Sequence, residues 1–418
     1  MTMAAREAVR EAHRSAARWP YAELDPAALR ATGWTPTPFR EIVLKVHQRC
    51  NLACDYCYVY EQADQSWRDR PRMMSEEIRR AAAGAIRRHA EEHGLNRVRI
   101  ILHGGEPLLY GPRRLGELAA ELRAAAPPGC TVEIGMQTNG VRLTEATVAV
   151  LREHDVKCGV SVDGTQRDHD RHRKLKSGEG SFTAVQNGLD LLRRPENRSL
   201  YAGLLCTVSP DTDPVETFEQ LAKFEPPVID FLLPHANHES RPWLPAGASP
   251  TAYGEWLVKA FDHWYLGRPS QPTPRVRLFE DVMRMVLKGS SSSEQIGLSP
   301  SATLVIETDG AIEQVDALKS AYEGAGATGL DVTRDEFDAA FDDPGVAARQ
   351  IGLRALSDTC LSCRFHPVCG GGHYAHRYRP GDGFRQPSVY CDDLRLLIDH
   401  IHHRLEADIQ RMMAMGEP

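Results

Sequence analysis

Apolar runs alternate with amphipathic stretches of helical period from Arg40 to about Gly267. Six of these runs have the length and apolar content of buried β-strands, and they lie at 42–47, 98–103, 132–137, 158–162, 202–208 and 229–234. Between them, apolar residues recur at helical spacing in five stretches, at 75–93, 112–126, 144–154, 181–193 and 214–224. Strands that alternate with helices form a parallel sheet, and about 230 residues suit six units better than a closed barrel of eight. The pattern therefore predicts an α/β fold, a partial (β/α)6 TIM-like barrel.

Four of the predicted strands end in segments rich in cysteine, glycine or polar residues. The first strand is followed by three cysteines, and the next three end in the sequences H-G-G-E-P, Q-T-N-G and S-V-D-G, at 103–107, 137–140 and 161–164. Parallel strands with helical crossovers place active residues at their carboxyl ends. We therefore expect all four segments to lie on one rim of the barrel.

The pattern changes on either side of the barrel. Residues 1–38 are predicted to form an N-terminal extension that packs against the barrel, which itself covers 39–267. A Gly- and Pro-rich stretch at 267–274 marks a boundary, beyond which 268–355 form a bridging region and 356–418 a Cys- and Gly-rich domain with a terminal helix. Six apolar residues lie at helical spacing on one face of that helix and are predicted to pack in the core: Leu394, Leu397, Ile401, Leu405, Ile409 and Met412.

Composition and charge limit the classes of function. The 418-residue chain has a net charge of -7, which gives no general electrostatic reason to bind nucleic acid, and a local basic cluster at 167–176 is typical of a solvated loop. The N-terminus has charges where a signal peptide needs an apolar run, and no stretch is apolar enough to span a membrane. We therefore expect a cytoplasmic protein without nucleic-acid or membrane partners. In a reducing compartment, cysteines are expected to be metal ligands, catalytic groups or buried thiols rather than disulfides.

Three cysteines follow the first strand in the spacing Cys50-x3-Cys54-x2-Cys57. Four thiolates complete the usual zinc or iron-sulfur site, so three leave one metal position for an outside ligand. Structural zinc is the alternative, although no fourth Cys or His follows at the proper offset. Together with the G-G-E-P that ends the next strand, the trio resembles the radical S-adenosylmethionine (SAM) superfamily. Members of that superfamily bind a [4Fe-4S] cluster through three such cysteines and let SAM chelate the fourth iron.

This resemblance implies a cofactor and a set of contacts. SAM would be cleaved reductively to methionine and a 5'-deoxyadenosyl radical, which abstracts hydrogen from an unactivated carbon. The resemblance implies that segment 104–106 binds the amino group of the methionine moiety of SAM and that Arg173 binds its carboxylate. By match to the family's motifs, eight residues are expected at the SAM site: Tyr56, His103, Gly104, Gly105, Glu106, Asn139, Ser161 and Arg173.

Four cysteines near the C-terminus form a second set: Cys360, Cys363, Cys369 and Cys391. With the barrel, this set resembles the SPASM extension of radical SAM peptide maturases, which carries one or two auxiliary iron-sulfur clusters. Compared with that family, Val315 and His373 stand where cysteines are expected, and no cysteine lies between Cys206 and Cys360. The resemblance therefore implies one auxiliary [4Fe-4S] cluster, held by all four cysteines of the second set, with a role in electron transfer or structure. A structural zinc knot is the alternative.

Asp316 follows Val315 and keeps the aspartate of the family's G-x4-C-D pattern, which here reads G-A-I-E-Q-V-D from Gly310. In related sulfatase-maturing enzymes this aspartate is placed to take a proton from the substrate radical, and a carboxylate near an apolar pocket can have a raised pKa suited to that role. We hypothesise the same catalytic role for Asp316. An ordinary exposed or hydrogen-bonded aspartate is the alternative.

Three further stretches, at 58–71, 312–319 and 369–378, resemble the FxsB-type maturases that form three-residue cyclophanes in ribosomally made precursor peptides. That resemblance implies removal of a β-hydrogen from the peptide, addition of the carbon radical to an aromatic ring, and loss of one electron and one proton. A flavodoxin or ferredoxin-type protein is the expected reductant. Two alternatives stay open: an aldehyde-forming or thioether-forming maturase with the same motifs, and an iron-sulfur or zinc scaffold that carries electrons without catalysis.

Overall fold

The computed structural model describes residues 24–267, 273–291 and 293–415. Most of the predicted N-terminal extension and most of the predicted boundary at 267–274 lie outside the described residues. The first described helix, α1 (Pro26–Ala31), begins after Asp25, whose side chain accepts hydrogen bonds from the backbone N–H groups of Ala27 and Ala28. An aspartate at this position satisfies N–H groups that have no partner within the helix.

A mixed sheet of ten strands forms the centre of the fold. Its strands are β1 (Glu41–His47), β3 (Arg97–Gly104), β4 (Thr131–Thr138), β5 (Lys157–Ser161), β7 (Tyr201–Thr207), β8 (Val228–Leu232), β9 (Arg275–Val276), β10 (Thr303–Ile306), β11 (Ala311–Glu313) and β12 (Ala327–Asp331). They lie in the order β12-β11-β10-β1-β3-β4-β5-β7-β8-β9, and all neighbours from β10 to β9 are parallel. Two short strands, β2 (Leu52–Cys54) and β6 (Arg173–Leu175), form a separate antiparallel pair.

Helices connect the strands and form most of the C-terminal segment. Those up to the last barrel helix are α2 (Glu76–Glu92), α3 (Pro112–Ala124), α4 (Glu145–Glu153), α5 (Gln166–His172), α6 (Phe182–Arg193), α7 (Pro214–Ala222) and α8 (Ala252–Gly267). The later ones are α9 (Arg277–Val286), α10 (Pro344–Ala348), α11 (Asp358–Leu361), α12 (His366–Cys369) and α13 (Cys391–Met415). The long helix α13 packs against α8 and α9. The C-terminal segment is therefore joined to the barrel through a helix interface.

The predicted fold class is confirmed, with the six predicted strands and five predicted helices present and displaced at their ends by no more than two residues. Helix starts follow the capping side chains: Ser75 accepts from Ile78 N at the start of α2, and Thr144 accepts from Thr147 N at the start of α4. The alternation of apolar and polar residues thus correctly predicted both the type and the position of these elements.

The sequence pattern did not predict the strands that extend the sheet beyond β1. β10 pairs in parallel with β1, so that Val43 lies opposite Val305, and β11 and β12 continue the sheet as antiparallel neighbours. These strands are only three to five residues long. They bring the segment from Glu307 to Asp316 beside the carboxyl end of β1.

The terminal helix departs from its prediction in its last turns. Leu394, Leu397, Ile401 and Leu405 are buried as expected. Ile409 and Met412 are 42% and 48% exposed, so their prediction as core residues is wrong. The helix extends beyond the surface that buries its first four turns. Apolar residues still recur at helical spacing in the turns that are left exposed. No helix among the described residues is long and apolar enough to cross a membrane.

Candidate functional site

The cysteine trio lies on a loop that leaves β1 and returns through β2. Cys50, Cys54 and Cys57 are all partly buried. The β2–β6 pairing holds this loop in place and sets Cys54 directly opposite Arg173. Cys50 Sγ accepts a hydrogen bond from Leu52 N over 3.4 Å and one from Asn139 Nδ2 over 3.5 Å. The loop and the end of β4 are therefore in direct contact, as the rim prediction requires.

The thiols of this loop are difficult to ionise without a cation. Burial, with Glu106 next in importance, raises the pKa of Cys50 to about 11. Burial also raises the pKa of Cys54 to about 11, although Arg173 opposes the shift. Metal binding needs thiolates, so an ion or cluster here would displace the protons on binding.

Two glycines allow the end of β3 to pack closely against the cysteine loop. Gly104 has φ +138°, and a Cβ there would lie 2.2 Å from His47 O. A Cβ at Gly105 would lie 1.8 Å from the Tyr60 hydroxyl and 2.6 Å from the Arg49 carbonyl carbon. Backbone hydrogen bonds complete the contact, since Gly105 N donates to His47 O over 2.9 Å. Only glycine fits this close approach of two backbones.

Glu106 links the ends of β3 and β4 and is 1% exposed. Its Oε1 accepts from Leu108 N over 2.9 Å and from Thr138 Oγ1 over 2.7 Å, and its Oε2 accepts from Asn139 N over 2.8 Å. Burial nevertheless raises the pKa of this carboxyl. Oε2 has a single donor from the chain, so it keeps capacity for one more hydrogen bond from a ligand.

Arg173 and Tyr56 belong to a buried network that also contains Asp163. Arg173 Nη1 donates to the Tyr56 hydroxyl over 2.7 Å, and that hydroxyl donates to Asp163. The Arg173 guanidinium lies 3.8 Å from Asp163, while its Nε is buried without a hydrogen-bond partner. The sequence prediction omitted Asp163, although the S-V-D-G motif contains it. An unpartnered Nε beside the cysteine loop can donate to an anionic ligand.

Ser161 ends β5, and His103 lies near the end of β3, with β4 between these two strands. Ser161 Oγ accepts from Gln137 Nε2 over 2.9 Å, which joins the ends of β4 and β5. His103 is the last but one residue of β3, and burial, with the charge of Lys45 next, lowers its pKa to about 4. Its imidazole is therefore neutral near pH 7.

Asp316 begins the turn after β11 and lies against β1. Its Oδ2 lies 2.8 Å from Lys45 Nζ and 3.6 Å from His103 Nδ1. Its other oxygen, Oδ1, is buried without a hydrogen-bond partner. The lysine was missed in the sequence, where the single charge inside the apolar run I-V-L-K-V-H was the available signal. Asp316 is thus a buried carboxylate, paired on one oxygen.

A second charged cluster lies beside Asp316. Lys319 Nζ lies 2.6 Å from Glu307 and 2.8 Å from Glu313, and Arg70 is paired with both of these glutamates. Burial alone would raise the pKa of Glu307, but Arg70 and Lys319 outweigh it and hold that pKa well below its ordinary value. These ion pairs fix the segment that carries Asp316 to the edge of the barrel.

The four C-terminal cysteines enclose a cavity of about 260 Å³. α11 contributes Cys360, α12 contributes Cys369, and Cys391 begins α13. The other lining residues include Cys363, Phe365 and Arg395. Around a single tetrahedral zinc ion, thiolates lie about 3.8 Å apart. Within the described part of the chain, no three cysteine sulfurs lie within 4.8 Å of one another.

A larger cavity of about 510 Å³ opens beside the cysteine loop, at the carboxyl ends of β5, β7 and β8. Tyr56 and Asp163, both members of the buried network, line one side of it, and His235 and Trp243 line another. The cavity is therefore large enough for part of a substrate and lies next to the residues that surround Arg173.

Comparisons with known proteins agree with this arrangement. The model of the radical SAM superfamily matches residues 44–224. Serine-type anaerobic sulfatase-maturating enzymes are similar to the chain: that of Bacteroides thetaiotaomicron is 28% identical over 56% of this chain and 60% of its own length. The enzyme of Klebsiella aerogenes is 26% identical over 85% of this chain and 84% of its own length. A cysteine-type relative from Clostridium perfringens is 21% identical over 88% and 97%.

Two solved structures share the fold. The structure of anSMEcpe with bound AdoMet superposes with a TM-score of 0.76 at 20% identity, covering 88% of this chain and 98% of that chain. The structure of Streptococcus suis SuiB bound to the precursor peptide SuiA superposes with a TM-score of 0.55 at 16% identity, covering 87% and 78%. At these identities the likeness concerns the fold.

Proposed function

We propose that this chain, a member of the radical SAM superfamily through residues 44–224, is a maturase that modifies a peptide by radical chemistry. The observation that carries the proposal is the meeting of the three-cysteine loop, the Gly104–Gly105 turn and the Arg173 network on one rim, beside a cavity of about 510 Å³. The similar proteins named above are maturating enzymes or a peptide-bound structure, which favours a peptide as the substrate.

The residues present fit the cofactors. Cys50, Cys54 and Cys57 would hold a [4Fe-4S] cluster and leave its fourth iron for an outside ligand. The buried, unpartnered Nε of Arg173 would donate to the carboxylate of SAM. When bound, the cluster and SAM supply the electron and the 5'-deoxyadenosyl radical that abstracts hydrogen from the substrate.

The other predicted SAM contacts would orient the cofactor. Glu106 has one oxygen with room for a further donor, which suits an ammonium group. Six further residues are expected contacts and lie on the cysteine loop or at the carboxyl ends of β3, β4 and β5: Tyr56, His103, Gly104, Gly105, Asn139 and Ser161. The Tyr56 side chain would also position Arg173, because its hydroxyl accepts from that guanidinium.

The cavity between the C-terminal cysteines would hold one auxiliary [4Fe-4S] cluster. Cys360, Cys363, Cys369 and Cys391 all line it, so every iron would have a protein ligand and no position would be left for a substrate. Such a site suits electron transfer. A flavodoxin or ferredoxin-type protein would supply the electron for the first cluster.

For the reaction on the peptide, we propose a crosslink between an aromatic ring and a β-carbon. Loss of a β-hydrogen gives a carbon radical, its addition to the ring forms the C–C bond, and loss of one electron and one proton restores aromaticity. Asp316 would accept the proton, because its Oδ1 is buried and unpartnered while Lys45 holds Oδ2. Cys360, Cys363, Cys369 and Cys391 would hold the cluster that supplies an acceptor for the electron.

Aldehyde formation on a serine or cysteine is the second candidate, favoured by the names of the similar enzymes. It uses the same hydrogen abstraction and also removes one electron and one proton. The difference lies in the bond that forms afterwards.

Tandem mass spectrometry on a co-expressed small precursor peptide, encoded beside this protein, distinguishes the two. A product lighter by two hydrogens, with backbone fragments missing across a three-residue aromatic segment and no reaction with hydrazine, supports the crosslink. A change confined to one serine or cysteine, with hydrazine reactivity, supports the aldehyde and overturns the crosslink.

The Cys54→Ser variant serves as the control and is expected to leave the peptide mass unchanged. The superfamily function is tested separately by incubating the reconstituted protein with SAM and dithionite without oxygen. If no 5'-deoxyadenosine forms, the radical function itself is wrong.

A further inference from the structure

Three histidines from distant parts of the sequence meet near the large cavity. His235 follows β8, and His373 and His376 belong to the turn between α12 and α13. One ring nitrogen of each lies within 4.8 Å of one from each of the others. The ring centroids are 4.9 Å apart for His373 and His376, 5.3 Å for His235 and His373, and 5.7 Å for His235 and His376.

Hydrogen bonds within the chain do not account for this cluster. His376 is 3% exposed, and both of its ring nitrogens are buried without a hydrogen-bond partner. Nδ1 of His235 is in the same state. A neutral imidazole has one N–H donor and one acceptor nitrogen. Burying both nitrogens of His376 without a partner is therefore unfavourable unless something binds there.

A second histidine cluster in the protein shows what ordinary pairing looks like. His89, His93 and Asp338 also bring ligand atoms within 4.8 Å of one another. There, Asp338 accepts from His89 Nδ1 over 2.8 Å and from His93 Nε2 over 2.8 Å, and His89 Nε2 accepts from Phe39 N over 3.0 Å. That cluster is satisfied by its own hydrogen bonds, whereas the cluster at His376 is not.

The three rings are also in the protonation state that a metal ion needs. Burial lowers the pKa of His235 to about 3 and that of His373 to about 3. Burial likewise lowers the pKa of His376, with His373 and His235 adding to the shift. All three rings are neutral near pH 7, so each carries a lone pair.

We propose that His235, His373 and His376 bind one divalent transition-metal ion of the zinc type, with a coordination position left toward the large cavity. Three neutral imidazoles are a ligand set that suits zinc and its first-row neighbours, and such sites keep a position for water or a substrate group. His235 is a ligand in this proposal and also lines the cavity, so the fourth ligand would come from that side.

Binding requires one local change. His373 Nδ1 accepts from Ala375 N over 3.3 Å, which places the proton of its neutral ring on Nε2. A metal ion would displace either this proton or this long hydrogen bond. The site would also tie the barrel to the C-terminal segment, because residue 235 comes from one and residues 373 and 376 from the other.

The test uses the full, cluster-loaded protein with Co²⁺ or Zn²⁺ as the probe. We expect one ion to remain per chain after gel filtration, in addition to the cluster iron. At the Co or Zn K-edge, X-ray absorption then shows imidazole nitrogen and no sulfur. This edge is selective for the added metal, so the iron of the clusters does not interfere.

Variants assign the ion to the site. His376→Phe keeps the ring volume and removes both nitrogens, and His235→Gln alters a partly buried ligand; each is expected to weaken binding about tenfold or more. His93→Gln, from the satisfied cluster, is the matched control and is expected to retain the ion. Iron content and visible absorbance report whether each variant has folded and kept its clusters, and His235→Gln remains informative if His376→Phe does not fold.

Three results would overturn the proposal: no retained cobalt or zinc, sulfur ligands at the metal edge, or binding by both variants as strong as in the wild type. Because none of these readouts measures turnover, failure of the metal site and failure of the proposed maturase reaction are distinguishable.

Discussion

Lys45 Nζ lies 2.8 Å from Asp316 Oδ2, with the lysine side chain fully buried and the aspartate side chain 10% exposed. The pair joins β1 to the turn after β11, and the second oxygen of Asp316 has no hydrogen-bond partner. A buried carboxylate held by one oxygen is fixed in position and keeps the other oxygen for a proton. We therefore expect the pair to have two separable roles, one in stability and one in the proposed reaction.

Replacing Asp316 by Asn tests both roles. Peptide crosslinking is expected to fall about 100-fold or more, because an amide cannot accept the proton, while SAM cleavage continues. Stability is expected to fall by about 3–5 kcal/mol, since Lys45 is left buried and unpaired. Product formation, 5'-deoxyadenosine release and urea unfolding measure the three effects.

Two further variants separate the causes. Asp309→Asn breaks a surface-side pair with Arg70 and is expected to change neither product nor SAM cleavage appreciably. The double variant Lys45→Met, Asp316→Leu is expected to recover most of the stability and none of the crosslinking. Crosslinking by the double variant at the wild-type rate would show that Asp316 has no part in the chemistry.

The two cysteine sets are expected to hold iron independently. Cys54→Ala and Cys363→Ala should each remove about four irons per chain, since each set would hold one [4Fe-4S] cluster. Cys54→Ala should abolish SAM cleavage, whereas Cys363→Ala should spare cleavage and stop product formation. Iron and sulfide analysis, with SAM cleavage measured in parallel, checks both. Cys130→Ala, outside both sets, is the control. Zinc in place of iron at the second set would contradict its proposed role.

The barrel could be predicted from the sequence because its signals are local. Apolar runs such as 98–103 and capping residues such as Ser75 act within a few positions of the elements that they define. The rim could be predicted for the same reason, since the carboxyl ends of parallel strands all lie at the same edge of the sheet. Asn139 and Cys50, for example, are in contact as that rule requires.

The parts that could not be predicted depend on pairings between distant residues. Nothing near Lys45 in the sequence indicates Asp316 as its partner, because β10 and β11 bring the two together only in the folded sheet. The same holds for His235 and His376, which belong to different segments. The prediction that Ile409 and Met412 are buried was wrong for another reason. The spacing of apolar residues predicts which face of a helix is apolar, but not where the surface that covers this face ends.

Arg173 is expected to determine the affinity for SAM. Arg173→Met removes a donor whose Nε is buried and unpartnered, and a charge-assisted hydrogen bond of this kind is worth about 1.5–3 kcal/mol, or about 10–150-fold in Kd. Equilibrium dialysis with the cluster-loaded protein measures the change. Arg171→Met, which removes a more exposed arginine paired with Asp211, should bind SAM as the wild type does. Equal weakening in both variants would mean that general charge, and not this contact, is responsible.

His169 is expected to make the fold sensitive to mild acid. Burial lowers its pKa to about 4, below its ordinary value of about 6.5. Its Nδ1 accepts from Asp163 N over 3.3 Å, and its Nε2 lies 3.0 Å from Ser181 Oγ, whose own proton goes to Arg173 O. Nε2 is therefore the donor to the Ser181 hydroxyl. The folded ring is neutral, and both of its nitrogens are hydrogen-bonded.

Between these two pKa values the unfolded chain binds a proton at His169 and the folded chain does not. The free energy of unfolding therefore decreases as the pH falls from about 6.5 toward 4, by up to about 3 kcal/mol from this group. His169→Gln keeps a donor for Ser181 but does not titrate, so its unfolding free energy should depend less on pH in this window. Urea unfolding of both proteins at several pH values between 7 and 4.5 measures the difference, and parallel curves for the two would show that another group is responsible.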